Sequence, residues 1–263
     1  MIKINGKPVE IGKFPDGTAL IKCDPYKFTA TGYAKFSWYY ENDAEFLTLT
    51  YLVKHFRSLG IKDLYLFMPY IPNARMDRVK TREDVFTLKY FAELLNDLNF
   101  TQIDVLDPHS SVSEALINNL YVYNPKPYIF KVLTENDNIT MVFYPDEGSM
   151  KRYHGLVNQP YAFGIKRRNW ETGAIEGLDV AGAVDQIAGK DILIVDDICS
   201  RGGTFYHSAK KLKEHGAKDI YLYVSHCENT ILEGDLLEGD LIKKIYTTDS
   251  IFTKSHEKIE VLK

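Results

Sequence analysis

The stretch Lys190-Asp191-Ile192-Leu193-Ile194-Val195-Asp196-Asp197-Ile198-Cys199-Ser200-Arg201-Gly202-Gly203-Thr204 decides how this chain folds. Its apolar run, residues 192–195, is too short for a buried helix and has the length of a buried parallel strand. Two carboxylates end the run, and a small glycine-rich turn leads into a helix predicted to begin near Thr204. A strand, a turn of unpaired backbone N–H groups and a helix N-terminus together favour an anion.

The glycines and the carboxylates of this stretch suit different parts of one ligand. Gly202 and Gly203 let the backbone approach a bound group closely and adopt positive φ angles. Asp196 and Asp197 would repel phosphate, but they suit the hydroxyls of a sugar or a Mg²⁺ ion held by those hydroxyls. The stretch therefore predicts a site for a ribose that carries a 5′-phosphate.

Composition bounds the rest of the molecule. The 263 residues, 45% of them hydrophobic, can bury a large core as one large domain or two ordinary ones. The net charge of −4 provides no general positive field for nucleic acid or an anionic membrane. No apolar run approaches the roughly 20 residues of a membrane span, and the N-terminus lacks the apolar core of a signal peptide. Scattered cysteines (Cys23, Cys199 and Cys227) fit a reducing cytosol. We therefore expect a cytoplasmic protein with no nucleic-acid or membrane partner.

Strand and helix patterns alternate along the chain. Asn5-Gly6 predicts a hairpin turn. In the first half, strands are predicted over residues 33–40, 63–68 and 103–106, and helices over residues 46–59 and 88–98. In the second half, strands are predicted over residues 139–144, 161–165, 192–195 and 220–225, a helix over residues 204–215, and a glycine- and glutamate-rich loop over residues 169–190. This alternation predicts an α/β fold of two halves, residues 1–125 and 126–263, each a mainly parallel sheet flanked by helices.

Polar clusters follow the predicted strands of the first half, at the edge where ligands bind in such sheets. Arg75, Asp77 and Arg78 lie in a polar loop, and the planar forks of two arginines suit the oxygens of a triphosphate. His109 follows the next strand and can coordinate a metal or contact a phosphate. For an isolated loop or histidine, a solvated or merely hydrogen-bonded role is the commoner one.

Two further clusters follow strands of the second half. Tyr144-Pro145-Asp146-Glu147-Gly148-Ser149 has the form of a turn that offers backbone amides to a diphosphate and a carboxylate to Mg²⁺. Lys166-Arg167-Arg168 precedes a loop of low hydrophobicity, which indicates cations on a mobile arm. As a bare charge run, the same triplet would usually be a solvated face.

In this order, the clusters resemble those of the ribose-phosphate diphosphokinases, or phosphoribosyl diphosphate (PRPP) synthetases, from about residue 14 to about residue 262. The stretch around Asp196 resembles the PRPP-binding motif that this family shares with type I phosphoribosyltransferases, which implies two phosphoribosyltransferase-like halves. The chain resembles a short member of the family, without its first strand and helix and its last helix. The other matching motifs are Phe14-Pro15-Asp16-Gly17, Arg75-Met76-Asp77-Arg78, Asp107-Pro108-His109, Asp146-Glu147-Gly148-Ser149, and Lys166 with Arg168.

The resemblance implies transfer of the β,γ-diphosphate of MgATP to the anomeric 1-hydroxyl of ribose 5-phosphate, giving PRPP and AMP. Catalytic roles are implied for Lys166, Arg168, Asp196 and Asp197, and Mg²⁺ coordination for His109, Asp146 and Asp196. ATP contacts are implied for Phe14, Asp16, Arg75, Asp77, Arg78 and His109. Contacts to the sugar phosphate are implied for Asp196, Asp197, Ser200, Arg201, Gly202, Gly203 and Thr204. Such a protein acts by positioning groups and neutralising charge, and no side chain is assigned as a general base.

The resemblance also implies an assembly. In the family, the turn at residues 14–17 contributes to the adenine pocket of a neighbouring subunit, so we expect a homodimer or a higher homo-oligomer.

Several positions depart from the family pattern. Thr18 stands where the family has Glu, and Met76 where it has Gln, which alters two ATP contacts. Ser200 and Arg201 replace Asp-Thr, which makes the phosphate loop more cationic. A more cationic loop favours ADP-ribose as the alternative acceptor. The chain would then resemble a viral-type branch of the family, which makes ADP-ribose 1-diphosphate for rebuilding NAD⁺.

Two other functions stay open at this point. A type I phosphoribosyltransferase that consumes PRPP would share the central stretch but would not need the arginine loop or Asp107-Pro108-His109. A non-catalytic regulatory subunit resembling PRPP synthetase would not need Lys166 and Arg168. We expect a diphosphokinase because those residues are all present.

Overall fold

The computed structural model describes residues 1–29, 32–168 and 175–263, apart from the side chains of residues 166–168 and 175–176. The chain divides into two compact units, Met1–Asn124 and Pro125–Lys263. Each unit has its own main sheet and its own buried core. The predicted α/β class, with mainly parallel sheets flanked by helices, is confirmed. No helix within the described residues is long and apolar enough to cross a membrane.

The first unit is built on a mixed sheet. Its elements in chain order are β1 (Ile2–Ile4), β2 (Lys7–Pro8), β3 (Ile11–Lys13), β4 (Ala19–Ile21), a 3-10 helix (Pro25–Lys27), β5 (Tyr33–Trp38), α1 (Ala44–Ser58), β6 (Asp63–Phe67), α2 (Thr87–Asn96), β7 (Gln102–Leu106), α3 (Val112–Leu116) and β8 (Leu120–Tyr123). The main sheet has the order β2-β1-β5-β6-β7-β8, in which β5 to β8 are parallel and β1 is antiparallel to both of its neighbours. β3 and β4 form a separate antiparallel hairpin.

Helix α1 shows how the sequence pattern builds this unit. Leu49, Val53 and Phe56 recur at helical spacing and are buried in the core. The helix begins after Asp43, whose side chain makes no capping bond, while the Asn42 side chain accepts a hydrogen bond from the Ala44 N–H at 3.1 Å. The side chain that caps the helix is therefore that of Asn42.

The second unit contains a larger sheet. Its elements in chain order are α4 (Lys126–Glu135), β9 (Ile139–Tyr144), α5 (Glu147–Tyr153), β10 (Tyr161–Arg168), β11 (Ile175–Gly182), a 3-10 helix (Val184–Gln186), β12 (Asp191–Cys199), α6 (Gly203–Glu214), β13 (Ile220–Cys227), two 3-10 helices (Asn229–Glu233 and Asp235–Leu237), β14 (Lys244–Thr248) and β15 (Ile259–Leu262). The strand order is β11-β10-β9-β12-β13-β14-β15. All neighbours are parallel except β10 and β11.

Strand β12 lies in the middle of this sheet and is buried on both faces. Ile192 and Ile194 pack into one apolar cluster, and Leu193 and Val195 pack into another. Successive side chains of a strand point to opposite faces, so a continuous apolar run is what a doubly covered strand requires.

The second unit corrects three predictions made from the sequence. Strand β12 continues to Cys199, so the predicted end after residue 195 is wrong and Asp196 and Asp197 lie within the strand. Strand β10 continues to Arg168, so Lys166 and Arg168 lie in a strand rather than after one. Part of the predicted loop over residues 169–190 is strand β11, while residues 169–174 lie outside the described residues.

Strand β11 was missed because its composition is unusual for a strand. Its sequence, Ile175-Glu176-Gly177-Leu178-Asp179-Val180-Ala181-Gly182, contains Gly, Asp and Glu, which are depleted in strands. The strand nonetheless pairs along β10, from Ala162 opposite Gly182 to Arg168 opposite Ile175. Pairing with a neighbour therefore overrides a weak local preference.

Candidate functional site

Carboxylates from two elements of the second unit gather at the carboxyl end of β12. Asp197 is 5% exposed, and its Oδ2 lies 3.1 Å from Nη1 of Arg152 on helix α5. The Asp197 backbone N–H donates to Oδ1 of Asp196 at 3.0 Å. The buried carboxylate of Asp197 is thus partly neutralised by Arg152, which the sequence analysis did not single out.

Asp146 is fixed by the start of helix α5. Its Oδ1 accepts hydrogen bonds from the backbone N–H groups of Gly148 at 3.0 Å and Ser149 at 3.1 Å. Together with the Ser149 hydroxyl this forms a capping box, so Asp146 holds the turn in shape. The N–H groups of Gly148 and Ser149 are therefore bonded to Asp146 itself, so the prediction that this turn offers backbone amides to a diphosphate does not hold for these two residues.

The charges of the other two carboxylates both affect the pKa of the third, Asp196. Burial, the charge of Asp197 and the charge of Asp146, in that order, raise the pKa of the Asp196 carboxyl well above its ordinary value. Three carboxylates therefore lie close enough at this point to repel one another. A bound cation would weaken that repulsion.

Mg²⁺ fits this donor set. Carboxylate oxygens are its preferred protein ligands, and it is commonly held by one or two carboxylates together with substrate phosphates. No three acidic, histidine or cysteine side chains of the described residues are arranged as a complete metal cage.

The loop after β12 is shaped by Gly202. Its φ angle is +82°, and it stands at the N-terminus of helix α6 without a side chain that could cap the first N–H groups. A Cβ atom at Gly202 would lie 2.7 Å from Leu236, whereas one at Gly203 would meet nothing within 4 Å. Gly202 is therefore required by the fold itself, and Gly203 leaves open space beside the helix N-terminus.

Arg201 has a partner that the sequence did not predict. Its Nη2 lies 2.9 Å from Oε2 of Glu233, in the segment after β13. The prediction of a markedly more cationic loop is therefore corrected, because the carboxylate of Glu233 balances the added guanidinium. Arg201 and Glu233 are 32 residues apart, so only the fold reveals the pair.

Cys199 does not belong to the chemistry of this site. It is buried and stands in register with Cys227 on β13. A hydrogen bond with Cys227 and burial raise the pKa of the Cys199 thiol well above its ordinary value. A thiol held protonated is a poor nucleophile, so Cys199 fills space beside the loop.

In the first unit, the turn at residues 14–17 joins the two strands of the β3–β4 hairpin. Gly17 has a φ angle of +87°, and Oδ1 of Asp16 accepts hydrogen bonds from the Thr18 hydroxyl at 2.7 Å and the Thr18 N–H at 2.9 Å. These bonds lower the pKa of the Asp16 carboxyl. The side chain of Phe14 is 48% exposed.

Two loops of the first unit meet at the carboxyl ends of β6 and β7. The backbone N–H of Leu106 donates to the carbonyl of Pro69 at 3.1 Å, which joins the start of the arginine loop to the end of β7. Asp77 is 8% exposed and accepts from Nε of Arg78 at 3.1 Å. Arg75 is exposed, and His109 is half-buried after the left-handed Asp107.

The predicted site residues therefore form two groups. In the first unit, Arg75, Asp77, Arg78 and His109 follow β6 and β7, while Phe14 and Asp16 lie on the separate β3–β4 hairpin. In the second unit, Asp146, Asp196, Asp197 and residues 200–204 lie at the carboxyl ends of β9 and β12. The backbones of Lys166 and Arg168 lie in β10, opposite Leu178 and Ile175 of β11, and their side chains are outside the described part of the structure.

Two α/β units, one of them carrying an acidic strand end, a glycine turn and a helix N-terminus, define a phosphoribosyltransferase-like protein. The fold is that of a phosphoribosylpyrophosphate synthetase from Mycobacterium smegmatis, with a TM-score of 0.78, 18% identity and coverage of 97% of this chain and 85% of that one. No protein-family model matches the chain.

Sequence comparison is more particular. The chain is 24% identical over 247 residues to a ribose-phosphate pyrophosphokinase from Sulfurisphaera tokodaii, covering 92% of this chain and 84% of the relative. It is 30% identical over 207 residues to one from Bradyrhizobium diazoefficiens, covering 74% of this chain and 62% of the relative. One from Bacillus subtilis is 28% identical over 225 residues, covering 82% and 69%. The chain is a homologue of the ribose-phosphate pyrophosphokinases, and the predicted resemblance to that family is confirmed.

Proposed function

We propose that this protein is an enzyme that transfers the β,γ-diphosphate of ATP to the anomeric 1-hydroxyl of ribose 5-phosphate, giving PRPP and AMP. The observation that carries the proposal is the second unit's site, where Asp146, Asp196 and Asp197 stand beside a glycine turn at a helix N-terminus. The names of the relatives support the same reaction.

In this reaction the sugar hydroxyl attacks the β-phosphorus of ATP, the bond between the α- and β-phosphoryl groups breaks, and AMP leaves. Asp196 and Asp197 hold the ribose hydroxyls, and the backbone of residues 200–204 holds the 5′-phosphate. Lys166 and Arg168 oppose the negative charge that grows on the transferring group. The chain contributes mainly orientation and charge neutralisation.

Mg²⁺ is part of the proposal. Asp146 and Asp196 are proposed as its ligands in the second unit, and His109 is proposed as a metal ligand of the first unit. When bound, the ion neutralises charge on the phosphates of ATP. Phe14, Asp16, Arg75, Asp77 and Arg78 are proposed to contact ATP.

We also propose a cytoplasmic homodimer or higher homo-oligomer. The exposed Phe14 on its separate hairpin supports an assembly in which residues 14–17 complete a neighbour's nucleotide pocket. Light scattering should give a mass of at least two chains, and Phe14→Ser should lower the ATP affinity more than the ribose 5-phosphate affinity. A fully active monomer would contradict the assembly.

The deciding experiment is incubation with MgATP and ribose 5-phosphate, followed by mass spectrometry of the sugar. We expect AMP and a diphosphorylated sugar in equal amounts. ADP-ribose in a parallel reaction tests the alternative acceptor, which the comparisons do not support. Consumption of PRPP with a free base and without ATP would instead indicate a phosphoribosyltransferase, and no turnover at all would indicate a regulatory subunit.

A further inference from the structure

A segment far along the chain crosses the phosphate loop of the second unit at very short range. This crossing segment, residues 233–236, comprises the last residue of one 3-10 helix, the connecting Gly234 and the first two residues of the next 3-10 helix. A Cβ atom at Gly234 would lie 1.9 Å from the carbonyl oxygen of Arg201, a distance that no side chain tolerates. Leu236 in turn packs over Gly202. The crossing segment therefore packs closely against two successive residues of the loop, Arg201 and Gly202.

This fit fixes where the carboxylate of Glu233 can lie. The side chains of Arg201 and Glu233 are 71% and 58% exposed, and an exposed ion pair by itself contributes little. Here, however, the backbone beside each partner is held by the Gly234 contact. The backbone of Glu233 therefore stays beside the loop, and its carboxylate remains within reach of the loop when a ligand draws Arg201 away.

We infer that Glu233 sets the charge selectivity of the phosphate loop, so that the loop accepts a terminal phosphate monoester and disfavours an acceptor whose 5′-phosphate carries a further anionic group. The inference rests on the proposed function, in which this loop binds the 5′-phosphate.

The physical reason is that two kinds of contact respond differently to Glu233. A terminal phosphate is bound by the backbone N–H groups at the start of helix α6, which one outer carboxylate affects little. A second phosphoryl group has to lie outside those amides. There it meets the guanidinium and the carboxylate together, and their charges cancel. Glu233 thereby offsets the gain that Arg201 alone would give to a larger anion.

The test measures binding directly, by calorimetry on the full chain. Ribose 5-phosphate and ADP-ribose, which contains the same unit with a second phosphate, are titrated into wild type, Glu233→Gln, Arg201→Gln and the double variant. Glu214→Gln is the matched control, because Glu214 pairs with Lys211 at 2.9 Å on the same unit but away from the loop. Thermal melting verifies that each variant is folded.

We expect Glu233→Gln to tighten ADP-ribose binding by roughly fivefold to tenfold, and ribose 5-phosphate binding by less than about twofold, the difference shrinking as salt is added. Arg201→Gln should weaken ADP-ribose binding more than ribose 5-phosphate binding. The double variant should return the ratio of the two affinities close to that of wild type, and Glu214→Gln should leave it unchanged.

Equal effects of Glu233→Gln on both ligands, or no effect on either, would overturn the inference and leave the ion pair as an ordinary surface bridge. Absence of ribose 5-phosphate binding to the wild type would overturn it as well. Binding of ribose 5-phosphate without AMP release would remove the proposed transfer reaction alone, since the ratio of affinities is measured without turnover.

Discussion

At the scale of single residues, the site combines groups that oppose one another. Asp196 is the clearest case, because its pKa is raised by burial and by Asp197 and Asp146. Above the unfolded pKa of an aspartate, near 3.8, the unfolded chain loses this proton before the folded chain does. The free energy of unfolding therefore falls as pH rises from that value through the folded pKa, and Asp196 costs stability at neutral pH.

We predict that Asp196→Asn raises the melting temperature at neutral pH while it abolishes transfer. The gain should vanish below about pH 4, where Asp196 is protonated in both states. Thermal melts from acidic to neutral pH check this.

Asp191 provides a control of opposite sign. Burial alone would raise its pKa, but hydrogen bonds from Asn138, the Asp219 N–H and Lys218 outweigh burial and lower it. Its stabilisation is present above the unfolded pKa and is lost as pH falls through the folded pKa. Asp191→Asn should therefore lower the melting temperature at neutral pH. Equal shifts in the two variants would show that charge at Asp196 is not the cause.

A further prediction at the level of single residues concerns Arg152, the positively charged partner of Asp197. Removing it in Arg152→Ala leaves the buried carboxylate of Asp197 without its 3.1 Å partner, a change of the kind that costs about 3–5 kcal/mol. We expect a lower melting temperature and a large loss of turnover. Arg152→Lys keeps the charge and should recover part of both. Unchanged turnover in Arg152→Ala would remove Arg152 from the site.

At the scale of elements, the sequence predicts what depends on local pattern and misses what depends on a partner. The apolar run of β12 and the helix after it follow from periodicity, because a doubly buried strand and an amphipathic helix need those residues. Strand β11 does not follow from periodicity, because its glycines and acidic residues favour a loop. It forms because it pairs with β10. The same holds for the site. Asp196 and Asp197 can be predicted from residues 190–204 alone, whereas only the fold brings Arg152 and Glu233 to the site.

The prediction for the secondary-structure elements concerns the start of helix α6. Gly202→Ala combines a left-handed φ angle of +82° with a Cβ only 2.7 Å from Leu236. The conformation costs about 1–2 kcal/mol, and the overpacking costs about 1–3 kcal/mol more. We expect lower stability in chemical denaturation and much weaker binding of ribose 5-phosphate. Gly203→Ala is the matched control for stability, since its Cβ meets nothing within 4 Å, and it should be neutral or slightly stabilising. Equal destabilisation of the two variants would contradict the role assigned to Gly202.

At the scale of the whole molecule, the two units divide the chemistry. The first unit has a single apolar core of its own, and the second has two, one on each face of its sheet. The groups proposed for ribose 5-phosphate all lie in Pro125–Lys263, and most of those proposed for ATP lie in Met1–Asn124. Such a division predicts that binding of the sugar and transfer of the diphosphate can be separated.

We therefore predict that residues 125–263, expressed alone, fold cooperatively and bind ribose 5-phosphate within about tenfold of the full chain, a difference of roughly 1.4 kcal/mol. The fragment should release no AMP from ATP, because the arginine loop and His109 are absent from it. Circular dichroism melting establishes whether it folds, and calorimetry measures the affinity. The same fragment with Asp197→Asn controls for binding that does not use the site. A folded fragment that fails to bind ribose 5-phosphate would mean that the first unit completes the sugar site, and the division of labour would be wrong.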